Sequence, residues 1–256
     1  MEVITDIKAY QKKCFSEYKK DIGLSSEYKY LYGNPINVLV PIEVGIGKVM
    51  VIGAYPSAKF YTINGINDVP LLDNDSPFSN EYYYDGSKTR SIPSGAELNE
   101  MLNKIGIIRK DCWITDLVKV FLFKDGHAKK YNSLGKNDVR ENRSLFFEFA
   151  NKSIKWLEME VELAKPVFVI TLGAEVGAVI FNKSKEFIAK NYLDGKCREA
   201  KINNSTVNII SLPHPGILIR PDTVTKPNPW PEKFNNEISK NAKNEIKKLL
   251  ENQYFA

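Results

Sequence analysis

Two short stretches hold the residues best suited to chemistry. Val49-Met50-Val51-Ile52-Gly53-Ala54-Tyr55-Pro56-Ser57 and Ile209-Ile210-Ser211-Leu212-Pro213-His214-Pro215-Gly216 are each an apolar run that stops at a turn of glycine, proline and small residues. A run of that length closed by turn residues reads as a buried parallel strand. Open α/β sheets bind ligands beyond the carboxyl ends of their strands. Both turns should therefore line one cleft, with His214 in it. An imidazole placed there can carry a proton or donate to negative charge that develops during a reaction. The other histidine, His127, lies among Lys124, Lys129 and Lys130 and reads as a solvated or phosphate-near residue. Cys14, Cys112 and Cys197 are far apart and form no CxxC, so a zinc ribbon or an iron–sulfur cluster lacks its ligands. No metal and no other cofactor is expected.

The elements that must position these residues follow from hydrophobic spacing. Strands are expected at 48–54, 112–115, 167–172 and 207–212. A helix opens at Ser94, read as an N-cap with Glu97 at the capping-box position, and stops at Gly106. A long helix is expected within 137–164, ended by Pro166, and another opens after Gly173. Ile4, Ile7, Tyr10, Cys14 and Tyr18 predict an amphipathic N-terminal helix. Residues 22–47 read as loop, with a short strand at 38–40. The segment 55–93 reads as a folded loop over the cleft, because its many aromatics argue against disorder. Four parallel strands with helical crossovers make a three-layer α/β/α sandwich. We expect one domain over 1–256, with an N-terminal extension at 1–47 and a C-terminal tether and helix at 221–256.

Composition sets wide bounds. The 256 residues carry 36 Lys and Arg against 31 Asp and Glu, a net charge of +5 that is compatible with nucleic acid. The N-terminus lacks the basic and apolar regions of a signal peptide, and no apolar stretch approaches the roughly 20 residues of a membrane span. An odd number of cysteines without a framework suits a reducing cytoplasm. A cytoplasmic monomer is expected.

Gly53-Ala54-Tyr55-Pro56-Ser57 followed by His214-Pro215-Gly216 resembles the signature motifs of the uracil-DNA glycosylase superfamily. Pro77-Phe78, then Ser94-Gly95 and Leu98, are similar to a further family run, here with an insertion at 79–93. Thr115-Asp116-Leu117-Val118-Lys119 is similar to the family's T-N-V-V-K strand end, and Lys165-Pro166 through Leu172-Gly173 to its K-P … L-G strand. The likeness runs in order over most of 48–220. It implies a monofunctional DNA glycosylase that flips a pyrimidine, hydrolyses its N-glycosidic bond and leaves an abasic site. By this resemblance Phe78 stacks on the base and His214 stabilises charge on the base O2. Gly53, Ala54 and Tyr55 face the base. Pro56, Ser57, Ser94, Lys119, Pro215, Gly216 and Arg220 meet the DNA, and Leu218 is the wedge that fills the vacated stack. Plainer readings stand beside these: Phe78 as a core ring and Leu218 as an ordinary buried leucine.

Two departures from the family bear on substrate and mechanism. Asp116 stands where the family carries an asparagine. An ionised aspartate only accepts hydrogen bonds, which opposes uracil O4 and suits the N4 amine of cytosine. The expected target is cytosine or a modified cytosine, unless Asp116 is turned away or paired with Lys119. The motif-one position that positions water in uracil enzymes is here Ala54 or Tyr55. Glu81 is the candidate replacement, with Asp75 and Asp85 as alternatives and a solvated loop acid as the plain reading. Tyr82, Tyr83 and Tyr84 in the insertion suit a base carrying a hydroxymethyl or sugar group. Base repair and defence against modified foreign DNA both fit. The rival readings are a non-catalytic DNA-binding module, a uracil-DNA glycosylase of ordinary specificity, and a nucleoside hydrolase.

Overall fold

The computed structural model describes residues 6–79, 82–84, 89–202, 205–223 and 225–253, with backbone alone at 82–84, 89–91, 252 and 253. The chain opens with helix α1 (Ile7–Ile22). Asp6 caps it by accepting from the Lys8 N–H at 2.9 Å, and Gly23 in the left-handed region closes it. Tyr10, Cys14, Tyr18 and Ile22, one turn apart, are its buried stripe. Strand β1 (Val49–Gly53) is buried along its whole length. The hairpin β2 (Ala58–Ile63) and β3 (Ile66–Asp73) follows, then a short hairpin β4 (Tyr82–Tyr84) and β5 (Thr89–Ser91). Next come α2 (Pro93–Ile105), β6 (Cys112–Asp116), α3 (Asp125–Ser133), α4 (Phe146–Ala164) and β7 (Phe168–Leu172). Then follow α5 (Ala174–Ile180), α6 (Lys185–Asn191), β8 (Cys197–Ile202) and β9 (Ser205–Leu212). Short helices α7 (Pro215–Leu218) and α8 (Trp230–Lys233) lead through a π-helical turn at Phe234–Ile238 into α9 (Ser239–Gln253).

Among the described residues the central sheet has the order β6-β1-β7-β9-β8. The first four strands are parallel and β8 pairs antiparallel with β9 at the edge. Alternation along each strand divides the core in two. Met50, Ile52, Trp113, Val169 and Ile209 face α1 and α4. Val49, Val51, Ile114, Ile170 and Ile210 face α2 and α9. These are the three layers expected. From β1 the chain runs outward to β6, then back across to β7. The ends of β1 and its neighbours thus form the switch point where such sheets bind ligands.

Several expectations need correction. The sheet has a fifth strand, β8, whose partly exposed, half-polar residues carry no apolar run. Ser94 lies inside α2, not at its cap: Ile92 is the cap residue and Pro93 takes the first turn, where a missing N–H costs nothing. The long helix lies within 137–164 as expected, from Phe146, after a 3₁₀ turn at Arg143–Leu145, to Ala164. Residues 38–40 lie outside any strand. The segment 55–93 holds two hairpins, and the first packs against α3 through the Tyr131 hydroxyl, which donates to the Pro70 carbonyl at 2.6 Å.

Candidate active site

The cleft lies over the carboxyl ends of β6, β1, β7 and β9. Its volume is about 420 Å³, and its lining includes Ala54, Tyr55, Phe78, Asp116, Glu175 and His214. Each strand end contributes in sheet order: Asp116 from β6, Ala54 to Ser57 after β1, Glu175 after β7, and His214 after β9.

Asp116 pairs in register with Gly53. Its carboxyl is buried, and among the described residues Oδ1 has no hydrogen-bond partner. Burial pushes its pKa up to about 7, with Lys119 acting against the rise and Glu160 adding to it. The alternative of an Asp116–Lys119 ion pair fails. Lys119 is 1% exposed and turns into the core, where its Nζ pairs with Glu160 and donates to Thr115 Oγ1 at 2.8 Å. It also donates to the Asp116 carbonyl at 3.1 Å, so it holds the strand end from beneath. A DNA contact for Lys119 is therefore excluded by burial. Glu160 completes the knot by accepting from Tyr10 and from Trp113 Nε1 at 3.0 Å.

Phe78 and His214 stand together, with ring centroids 5.7 Å apart. Phe78 adopts φ +50, a region that L-residues other than Asn, Asp and Gly avoid. Arg109 holds that turn: its Nη2 donates to the Phe78 carbonyl at 2.7 Å, while its Nε and Nη2 fork onto the Glu43 carboxylate at 2.5 and 2.7 Å. Gly53 is required beneath them, because a Cβ there would collide with Asp116 Oδ1 and the Phe78 ring. His214 Nδ1 accepts from the Gly216 N–H at 3.0 Å, which leaves the ring proton on Nε2. Burial lowers its pKa to about 4, against the pull of Glu175, so the imidazole is neutral at neutral pH. Gly173, at φ +90, lets β7 turn against His214 Cβ, 3.2 Å from where a side chain would begin.

Other assigned residues divide. Tyr55, Pro56, Ser57, Ser94 and Gly216 line the cleft. Ser57 is exposed and its Oγ accepts from Asn74 Nδ2 at 2.6 Å. Pro215 and Leu218 form the buried face of α7, and Leu218 packs into the core beside α2, so it is not a free wedge. The exposed apolar residue of that loop is Ile219, 42% exposed, followed by exposed Arg220. Glu81 and Asp85 fall outside the described residues, and so do the side chains of Tyr82 to Tyr84. Asp75 is exposed, faces Lys59 at 4.0 Å and is not part of the cleft wall.

Residues not anticipated build the rest. Glu175 accepts from Lys185 Nζ at 2.7 Å and pairs with Arg143, whose guanidinium lies 4.7 Å from the Tyr55 ring centre. At the far end Phe60, Phe121 and His127 form an aromatic wall. His127 stacks on Phe121 with centroids 5.6 Å apart, and its Nδ1 accepts from the Lys124 N–H at 3.1 Å. His127 is thus half-buried, not solvated, and burial with Lys124 and Lys130 lowers its pKa to about 4. The signal for Glu175 was present: it follows a glycine at the end of a buried strand, as the residues after Gly53 do. Arg143 and Phe60 had no such signal.

The model of the uracil DNA glycosylase superfamily matches residues 47–238, a span that includes every strand of the sheet. The chain belongs to the uracil DNA glycosylase superfamily. Among curated proteins no match is found. Membership in this superfamily supports a DNA glycosylase type of activity, a hydrolase acting on the bond between base and sugar. No helix among the described residues is long and apolar enough to cross a membrane.

Proposed function

We propose that this protein draws a cytosine or modified cytosine out of DNA into the cleft and hydrolyses its N-glycosidic bond. The observation that carries the reading is the Asp116 carboxyl: buried, unpartnered at Oδ1 among the described residues, and in the same cleft as Phe78 and His214. A group held that way costs about 1–3 kcal/mol unless a ligand supplies its hydrogen bond. Ionised, it accepts from the N4 amine of cytosine. Protonated, it can also donate to N3.

The remaining roles follow from position. Phe78 offers its face to the extruded ring. As the bond from N1 to C1′ of the sugar breaks, the electron pair passes to the base and charge gathers on O2. The neutral His214 donates Nε2–H to that oxygen, an interaction worth about 100- to 1,000-fold in rate. A cleft of about 420 Å³ is larger than one pyrimidine needs. The wall of Phe60, Phe121 and His127 beyond Ser57 gives space and an aromatic surface for a hydroxymethyl or sugar substituent on the base. Such bases fit both repair and defence against modified foreign DNA.

The test is base release from duplexes carrying uracil, cytosine, hydroxymethylcytosine or glucosylated hydroxymethylcytosine, read as abasic sites. A cytosine derivative should be released at least about tenfold faster than uracil, and His214→Ala should lose about 100-fold or more while still binding DNA. Uracil released as fast as any cytosine derivative would return the protein to ordinary uracil specificity. No release from any duplex, with DNA binding intact, would make it a binding module.

A further inference from the structure

Hydrolysis needs a group that takes a proton from the attacking water, and the turn after β1 supplies none: Ala54 ends in a methyl, and Tyr55 is turned toward Arg143 and Phe146. Among the described residues that line the cleft, the carboxylates are Asp116 and Glu175. Asp116 sits at the β6 end, on the side where the base edge is read. Glu175 sits at the head of α5, after β7, the strand that lies between β1 and the His214 strand β9.

We propose that Glu175 is a catalytic residue, the carboxylate that accepts the proton of the attacking water. The proposal rests on the glycosylase reading above. In the step, the water oxygen forms a bond to C1′ as the bond from C1′ to the base nitrogen breaks. The electron pair of that bond leaves with the base, whose O2 is met by His214. The water proton passes to Glu175, which returns it to solvent after the abasic product forms.

Three observations beyond position support the assignment. Ala54, Glu175 and His214 line both the main cleft and an adjoining apolar cavity of about 310 Å³, so this carboxylate shares its walls with the imidazole on two sides. The Glu175 charge is felt at both His214 and Tyr55. Its geometry is fixed at both oxygens: Oε1 accepts from Lys185 and Oε2 from Arg143. A carboxylate oxygen has about two acceptor sites, so each keeps one for water. Burial pushes the Glu175 pKa up, but the hydrogen bonds and charges of Lys185 and Arg143 outweigh it and hold the group below its usual range. The carboxylate is therefore ionised and oriented before substrate arrives.

The experiment is single-turnover base release on the best duplex from the substrate screen, alongside duplex affinity and thermal unfolding. Glu175→Gln should slow release by about 100-fold or more and leave duplex affinity within about threefold of wild type. Glu175→Asp should keep part of the rate. Glu175→Ala should regain rate with added formate without a matching gain in thermal stability, whereas an anion that only restored the ion pair to Arg143 and Lys185 would raise both. Release by Glu175→Gln within about threefold of wild type would overturn the proposal, as would a loss matched by unfolding and unmoved by formate. Glu81→Gln is measured in parallel. If it loses the rate while Glu175→Gln keeps it, the role belongs to Glu81. If wild type releases no base from any duplex, the glycosylase reading fails first and takes this proposal with it.

Discussion

Asp116 is the residue through which pH should reach the reaction. Its pKa is raised to about 7 by burial, opposed by Lys119 and aided by Glu160, while His214 in the same cleft stays neutral down to about 4. Above neutrality Asp116 is ionised and accepts only, so uracil O4 meets repulsion and cytosine N4 does not. Below it, the protonated acid can donate as well, and discrimination weakens. The ratio of cytosine-type to uracil release should therefore rise between pH 6 and 8 by on the order of tenfold, and Asp116→Asn should flatten it. Rates measured on both duplexes across that range decide the matter; a ratio independent of pH would assign base reading elsewhere. The same group affects stability, and the sign is fixed by linkage. Between about pH 4 and 7 the native state holds a proton on Asp116 that the unfolded chain has released, so this group lowers stability as pH rises. Asp73, raised to about 6, has the same sign, so the contribution of Asp116 is read as the difference between wild type and Asp116→Asn. Denaturant melts at pH 5 and 8 should show the wild type losing more stability over that interval than the variant.

At the scale of elements, the cleft depends on how closely three segments approach. β1 ends at Gly53, where the Asp116 carboxyl and the Phe78 ring occupy the space a methyl group would take. Gly53→Ala should destabilise the fold by about 1–3 kcal/mol through overpacking and reduce base release further than that loss explains, since the displaced groups are those proposed to face the base. Urea unfolding with single-turnover rates separates the two effects. Arg109 works from the other side of Phe78. Arg109→Leu removes the fork to Glu43 and the hold on the Phe78 carbonyl, and should cost about 1–3 kcal/mol, with Phe78 loosened from His214. The strands that carry the site were legible because a parallel strand buried on both faces must be largely apolar, and Val49–Ile52, Phe168–Leu172 and Ile209–Leu212 are, save for Thr171 and Ser211, whose hydroxyls bond to each other. β8 was not, because Arg198, Glu199 and Lys201 on an edge strand leave no apolar run. The clamps escaped for another reason. Glu43 and Arg109, Arg143 and Glu175, and Lys119 and Glu160 each join positions remote in the chain or on different elements, and no spacing rule links them. Leu218 shows the converse: its place four residues after His214 suited a wedge, but the turn of α7 carries it into the core.

For the molecule as a whole, net charge says less than where the cations stand. Much of the positive excess stands on α1 and α9, where lysines outnumber acids, while α4 is net acidic, with Lys152 and Lys155 against Glu148, Glu158, Glu160 and Glu162. At the cleft itself Lys124 is exposed, while Arg143 and Lys185 are engaged with one carboxylate, Glu175. DNA must bring its phosphates to this rim if a nucleotide is to reach Asp116. Each phosphate neutralised releases counterions, so the logarithm of affinity should fall linearly with the logarithm of salt concentration, with a slope of about −0.9 per contact on duplex DNA. Lys124→Ala should weaken binding to every duplex alike and reduce the slope by about 1, because a phosphate contact carries no sequence information. The aromatic wall beside it should behave in the opposite way. Phe121→Ala should leave the slope unchanged and lower affinity for a bulky modified cytosine more than for cytosine. Titration of both variants with modified and plain duplexes at several salt concentrations tests the two together. If Lys124→Ala left the slope untouched while Phe121→Ala weakened all duplexes equally, the phosphate rim and the substituent wall would both be misplaced on this surface.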